Sequence, residues 1–342
     1  MITLPEIIER DNRPPSVTVS MTSYNHEKYI DEAIRSVLMQ KTDFPVNIVI
    51  HDDASPDSSA EIIRKYAAEN PSITPIIEET NFTQNGKSFF PVIQPYLTGK
   101  YIALLECDDF WIDEHKLQMQ VDYLERSPDC SAVYANIMPV NKHSVRDENA
   151  RYESVLGSKI GFPKTEEGDY PLCTFGHRHQ IGTLVYRNIW QFMTQEEINI
   201  YLNARCTGDY KLLALFSHIG RVHYFAEELS AYRRIFDEGT SYTARMYRLS
   251  DYDKYKNIIR GISDTYIMIE RLFGKKYYRK YFQAILHELK SRIKYHRSII
   301  QDAQLDSSLQ LRNIPWYMYV SLPFYILYKV MQKIARKFSS PK

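Results

Sequence analysis

Cysteine is scarce in this chain, and what there is lies scattered. Cys107, Cys130, Cys173 and Cys206 form no CxxC pair, which argues against a zinc site or a disulfide framework and favours a reducing compartment. No run of 18 apolar residues occurs, so no segment reads as a certain membrane span. The opening MITLPEIIERDN is too acidic and too poor in apolar residues for a secretory signal. A cytoplasmic protein is the expectation. Net charge is only +1, so nothing global points to nucleic acid as a partner. No internal repeat is visible.

What is present is an ordinary globular balance, 44% hydrophobic and 25% charged over 342 residues, enough for one large domain or a domain with an appendage. The unusual count is 27 tyrosines, a residue whose flat face and hydroxyl suit both cores and sugar or base stacking.

Strand and helix signals alternate through the first third. VTVSM (17–21) is β-branched and alternating, and Ile30, Ala33, Ile34, Val37 and Leu38 recur at helical spacing within 27–40. NIVI (47–50) is a buried-strand run that ends in the polar loop 51–57, and a helix is expected over 59–68. ITPII (73–77), a short helix over 88–97, the strand YIALL (101–105) and a helix over 114–126 follow. This is the pattern of an α/β fold, a mostly parallel sheet flanked by helices. Ligands of such sheets bind beyond the carboxyl ends of the strands. The chain then reads as a loop-rich stretch (139–178), a strand (182–186), a helix (210–218), two short strands (221–224 and 228–232), and helix from about 250. A boundary is placed near 245. It separates a domain over 1–245, with halves 16–135 and 136–245, from a helical C-terminal region over 246–342.

Two constellations fall at strand ends. Glu106-Cys107-Asp108-Asp109 puts three carboxylates within four residues behind a buried strand. Such a loop can hold a divalent metal that neutralises a departing diphosphate, although an aspartate there also suits a helix N-cap. Thr22-Ser23-Tyr24-Asn25 and Asp52-Asp53 end the first two strands. They offer polar backbone, an aromatic face and a carboxylate that can accept the imide hydrogen of a base. Asn25, Ser55 and Asp57 also read as helix caps.

SVTVSMTSYNHEKYIDEAIRSVLMQ, VIHDDASPDSSAEII and GKYIALLECDDFWIDEHKLQMQVDYLERSP together resemble a family 2 glycosyltransferase of the GT-A fold, continuously over about 16–135 and more weakly to about 240. The resemblance implies an inverting enzyme that moves a sugar from a nucleoside diphosphate to an acceptor hydroxyl, using Mn²⁺ or Mg²⁺. It implies that the Thr22 backbone and Tyr24 ring contact the base and that Asp53 binds the base imide. Asp108 would lie near ribose and metal, Asp109 would ligate the metal, and Asp209, in CTGDYKL, would be the catalytic base. Relatives often carry a histidine after a tyrosine-arginine pair. Here Tyr232-Arg233-Arg234-Ile235-Phe236 has none, so Arg233 and Arg234 become candidates for the diphosphate or else solvated surface charges. A third protein ligand for the metal stays open.

Weaker signals are His177 and His179, read as a polar loop, Lys87, a candidate for the diphosphate, and Cys107 and Cys206, read as structural thiols. The stretch IPWYMYVSLPFYILY (314–328) leads into KVMQKIARKF, and no acidic residue follows Asp306. The segment 314–338 suits either an anionic membrane surface or a protein surface. The expected partners are a nucleotide-sugar donor, most readily a UDP-sugar, and a glycan or lipid-linked acceptor in surface polysaccharide or glycoconjugate synthesis. Homo-oligomerisation stays open. Two rivals share the fold. A catalytically inactive nucleotide-sugar or glycan-binding protein would keep the sheet, and a sugar-phosphate nucleotidyltransferase would need a glycine- and arginine-rich loop that MTSYNHEKY lacks.

Overall fold

The computed structural model describes residues 1–148, 151–153, 159–161, 168–170, 180–205, 207–235 and 248–274. His177, His179, Cys173, Cys206 and the segment 314–338 lie outside the described residues.

The sheet is built around a strand that is buried on both faces. β1 (Val17–Ser23) lies between β2 (Val46–Asp52) and β4 (Tyr101–Glu106), and β3 (Ile73–Ile77) flanks β2. All four are parallel, with Met21 in register with Ile50 on one side and Leu105 on the other. Near-continuous burial along β1 is what a strand covered on both faces requires. The second half adds β5 (Phe110–Trp111), β6 (Cys130–Val140), β9 (Gly168–Tyr170), β10 (Val185–Arg187) and β11 (Arg221–Arg233). A separate hairpin pairs β7 (Arg151–Glu153) with β8 (Lys159–Gly161). The order is β3-β2-β1-β4-β10-β6-β11-β5, with β9 also on β11. β10 is antiparallel to both neighbours, β11 runs parallel to β6, and β5 and β9 pair antiparallel with β11.

Helices cover both faces. Ile30, Ala33, Ile34 and Val37 of α2 (Ile30–Leu38), Ile63 of α3 (Ser59–Glu69) and Leu117, Val121 and Leu124 of α5 (Lys116–Arg126) fill one core. The other core takes Ile7 of α1 (Leu4–Arg10), together with residues of α6 (Gln195–Leu202), α7 (Gly208–Ile219) and α8 (Asp251–Phe273). The remaining α-helix among the described elements, α4 (Phe90–Ile93), continues as a 3₁₀ turn to Tyr96. Met268, Ile269 and Leu272 of α8 pack into the same cluster as Phe216 and Tyr201.

Several local expectations change. Residues 130–140 form one strand of eleven residues, buried through its first seven, so period-2 alternation was absent from the sequence. α6 begins with a capping box between Thr194 and Glu197, a signature present in TQEE but not followed by a clear apolar period. The two short strands over 221–232 are one strand with bulges between Phe225 and Ser230. Only Val185–Arg187 of the strand expected at 182–186 pairs, because Ile181–Thr183 turns as a 3₁₀ segment. Asn25 does not cap a helix: it sits at φ 61, and α2 starts only at Ile30.

Candidate active site

The carboxyl ends of β1, β2 and β4 converge, and the side chains there are tied to one another before any ligand enters. Cys107 N–H donates to the Thr22 carbonyl over 2.9 Å, and Asp53 N–H donates to Ser23 O over 3.0 Å. The Thr22 backbone expected to meet a base is therefore already an acceptor within the sheet. The loop after β1 is held by the loop after β2. Ser55 Oγ accepts from Asn25 N–H, Ser59 Oγ from His26 N–H, and Asp57 from Glu27 N–H. Ser55 thus locks the neighbouring loop rather than capping α3, while Asp57 also accepts from Ser59 N–H at the start of that helix.

Asp53 is buried, and its carboxylate takes the backbone N–H groups of Phe82 at 2.6 Å and Thr83 at 3.1 Å. Asn81 Nδ2 donates to the Asp53 carbonyl, and Gln84 Nε2 donates to the Tyr24 hydroxyl over 2.7 Å. Tyr24 and Asp53, two residues expected at the base, are therefore joined through residues 81–84. Each Asp53 oxygen keeps a further lone-pair direction for a ligand.

The acidic loop turns tightly, with Asp109 N–H on the Glu106 carbonyl. Carboxylate oxygens of Glu106, Asp108 and Asp109 all lie within 4.8 Å of one another. Asp109 is buried, and loss of hydration, then repulsion from Asp108 and Glu106, raises it well above the usual carboxylate range. Glu106 opens on the cleft, yet the surrounding protein strips enough water to raise it. With repulsion from Asp108 and Asp209 added, it is pushed up to about 8. Three hard oxygen donors crowded together, their repulsion at Asp109 only partly offset by the Arg233 charge, are a set that a Mg²⁺- or Mn²⁺-like ion fits. Gly182 packs closely beside this cluster: a Cβ there would come within 3.1 Å of Ser230 Oγ and 3.9 Å of Asp109 Oδ2.

Asp209 reaches this cluster from another element. It sits in the first turn of α7, after Thr207, so it is not the cap residue. Burial raises it to about 6, against a lowering hydrogen bond from its own backbone, and its charge is felt at Glu106.

Arg233 departs from expectation. Its side chain is fully buried, so it is not a solvated surface charge. Nε donates to the Asp108 carbonyl over 2.7 Å, one Nη donates to Glu32 over 2.7 Å, and the other donates to Ser144 Oγ and the Asn141 carbonyl. The guanidinium also lies 4.4 Å from the Tyr29 ring centre. With its fork spent inside the protein, Arg233 fits the role of a clamp on the acidic loop and not that of a diphosphate ligand. Arg234 is partly buried, and its N–H donates to the Val140 carbonyl. Lys87 is exposed at the end of the turn after β3. Cys107 is buried, and its thiol is raised well above its ordinary range by burial and nearby carboxylates, as suits a structural residue.

Sequence reasoning missed His26, whose Nε2 lies 3.9 Å from Asp108 Oδ2. It also missed Glu32, the Arg233 partner on α2. His26 is one residue past the Tyr-Asn pair that drew attention. Glu32 carried no signal, because its partner is 201 residues away.

Residues 18–186 match the family model described as glycosyl transferase family 2, and that part of the chain belongs to that family. An uncharacterized protein of Mycobacterium tuberculosis is 36% identical over 132 residues, 38% of this chain and 38% of its own length. The chain thus spans less than half of the mycobacterial relatives it matches. The putative teichuronic acid biosynthesis glycosyltransferase TuaG of Bacillus subtilis is 24% identical over 217 residues, 59% of this chain and 81% of its own. Among solved structures, S. aureus TarS 1–349 in complex with UDP-GlcNAc superposes with a TM-score of 0.55 at 17% identity, covering 87% of this chain and 77% of that one. That likeness is one of fold, the GT-A fold.

Proposed function

We propose that the chain is an inverting glycosyltransferase that moves a sugar from a nucleoside diphosphate, most readily a UDP-sugar, to a hydroxyl of a glycan or lipid-linked acceptor. The observation that carries this reading is the carboxylate cluster of Glu106, Asp108 and Asp109 at the end of β4, with Asp209 brought beside it.

Asp109 and Asp108, with Glu106 in reach, would hold Mn²⁺ or Mg²⁺. When bound, that ion neutralises charge gathering on the leaving diphosphate. Tyr24 and Asp53 orient the base. Asp209 takes the proton of the acceptor hydroxyl as its oxygen attacks the anomeric carbon. The bond from that carbon to the diphosphate oxygen breaks on the opposite face, and the anomeric centre inverts. A carboxyl group at about 6 is largely ionised near neutrality yet more basic than an exposed aspartate, which is what a base for an alcohol needs. The relatives' glycan-building names, such as the teichuronic acid biosynthesis of TuaG, support an acceptor in surface polysaccharide or glycoconjugate synthesis.

A panel of nucleotide sugars with Mn²⁺, scored for slow release of nucleoside diphosphate without acceptor, tests the reading on wild type and Asp109→Ala. Turnover of one donor that vanishes in the variant supports it. Absence of both binding and turnover for every donor would favour a non-catalytic binding protein. The segment 314–338 is assigned to an anionic membrane surface. Co-sedimentation with phosphatidylglycerol vesicles should be lost when residues 314–342 are removed, and unchanged sedimentation would sink that assignment. No described helix is long and apolar enough to cross a membrane.

A further inference from the structure

Behind the acidic loop lies a buried polar group of side chains that the chemistry above does not use. Trp111, Lys116, Gln120 and Thr183 are each at most 1% exposed. Burying an amine, an amide and an indole N–H is costly unless each finds a partner, so what they hold is informative. Trp111 Nε1 donates to the Gly182 carbonyl over 2.7 Å, and Gln120 Nε2 donates to the Thr183 carbonyl over 2.9 Å. Two consecutive carbonyls of the 181–183 turn are thus gripped from β5 and α5.

The orientation of Gln120 is fixed from both ends. The Thr183 carbonyl can only accept, so it takes the amide NH₂. That turns Oε1 toward Lys116, whose Nζ donates to it over 2.7 Å and lies 4.3 Å from the centre of the Trp111 ring. Burial pushes the Lys116 amine well below the ordinary lysine range, which marks a position where an apolar side chain of similar length would be tolerated.

The turn held in this way adjoins both halves of the proposed site. A Cβ on Gly182 would stand 3.9 Å from Asp109 Oδ2, and a Cβ on Gly208 would stand 3.8 Å from Ile181 Cδ1. Gly182 is therefore beside the acidic loop, and its neighbour Ile181 is beside the residue that precedes Asp209 on α7. The turn also closes on itself, with Thr183 N–H on Gln180 O and Leu184 N–H on Ile181 O. Inverting transfer needs the acceptor oxygen, the anomeric carbon and the leaving oxygen in one line, with the base at the acceptor end. A misplacement of about 1 Å can cost about 10²-fold in rate. We propose that Gln120 is a positioning residue: with Trp111 it holds the 181–183 turn as the spacer that sets Asp209 against the acidic loop. This rests on the glycosyltransferase reading and extends it to side chains that touch no substrate.

The test compares wild type, Lys116→Met and Lys116→Met/Gln120→Met. The double variant replaces a buried polar pair by two apolar side chains of similar length, so both variants should melt within about 4 °C of wild type. They differ in the Gln120 amide alone. Hydrogen exchange is followed at the Thr183 and Leu184 amides. Release of nucleoside diphosphate is followed with Mn²⁺ and UDP-GlcNAc, UDP-glucose, GDP-mannose or dTDP-rhamnose, water standing in for the acceptor hydroxyl. Lys116→Met, which keeps the amide on the Thr183 carbonyl, should hold kcat within about threefold of wild type. The double variant should exchange faster at both amides and fall about tenfold in kcat, with unchanged affinity for the matching nucleoside diphosphate. A purely structural role would move the melting temperature and leave kcat per folded molecule alone. Should the double variant melt lower, Gln120→Asn, one methylene too short for the Thr183 carbonyl, repeats the comparison against wild type. Exchange as slow in the double variant as in Lys116→Met would show that the turn holds itself. Faster exchange with equal kcat in the two variants would show that the turn does not set the reaction. Either result overturns the inference and leaves the glycosyltransferase reading intact. A wild type that neither binds nor turns over any of the four donors overturns that reading and the inference with it.

Discussion

The backbone N–H of Arg233 donates to Asp109 Oδ1 over 2.7 Å. The same residue sends Nε to the carbonyl of Asp108, so the last residue of β11 grips both members of the acidic pair. The short β5, paired through Phe110 and Trp111 to Ala231 and Ser230, brings the two segments into register. The carboxylates that would hold the metal are thus aimed by a strand more than a hundred residues downstream.

Arg233→Met should therefore weaken Mn²⁺ binding as well as the fold. Loss of the guanidinium leaves the Asp108 carbonyl without its side-chain donor, while the half-exposed Glu32 keeps the Ser144 hydroxyl, a change worth about 1–3 kcal/mol. Chemical denaturation and Mn²⁺ titration by electron paramagnetic resonance would report the two effects separately. Arg233→Lys, which keeps the charge but not the fork, should recover part of the stability and little of the metal affinity. Unchanged Mn²⁺ affinity in Arg233→Met would rule out the clamp.

Asp209→Asn should leave donor binding nearly intact and lower kcat by about 10²- to 10⁴-fold. In wild type the acidic limb of the kcat profile should bend near pH 6, with activity falling as pH falls, because the base must be ionised and burial has raised it to about 6. A kcat profile flat from pH 5 to 8 would remove Asp209 from that role.

The metal-free protein should lose stability as pH rises from about 5 to about 8. Glu106 and Asp209 are raised in the folded state, to about 8 and about 6. Over that window the folded chain binds more protons than the unfolded chain, and stability falls with pH. Mn²⁺ competes with those protons, so its thermal stabilisation should be larger at pH 8 than at pH 5.5. Calorimetric melts at the two pH values, with and without Mn²⁺, decide this, and an equal shift at both would contradict it.

Asp53→Ala should release residues 81–84 before it affects anything else. Both Asp53 oxygens hold backbone N–H groups of that segment, so hydrogen exchange at Phe82 and Thr83 should accelerate. Nucleotide affinity should drop with it. Unchanged exchange at those amides would show that the segment holds itself in place.

The parallel core was legible in the sequence because burial on both faces leaves a direct trace. VTVSM, NIVI and YIALL are continuous or β-branched runs, and the structure places them side by side as β1, β2 and β4. The acidic loop and Tyr24, Asn25 and Asp53 were legible for a related reason: strands of known polarity put them at one edge. β6 escaped notice because a long strand buried on both faces and a loop-rich continuation look alike without alternation. The strand pairing of 221–233 looked broken because its bulges interrupt the period.

By itself, the sequence determined the α/β class, the end of the sheet at which the proposed site lies, and the carboxylates that stand there. These depend on local runs and on the polarity of parallel strands. Only the tertiary structure decided that Arg233 is a buried clamp, that residues 81–84 join Asp53 to Tyr24, and that His26 stands 3.9 Å from Asp108. Each of those relationships joins residues brought together by sheet order and loop packing. No periodicity along the chain encodes a contact whose partners are set by the folding of everything between them.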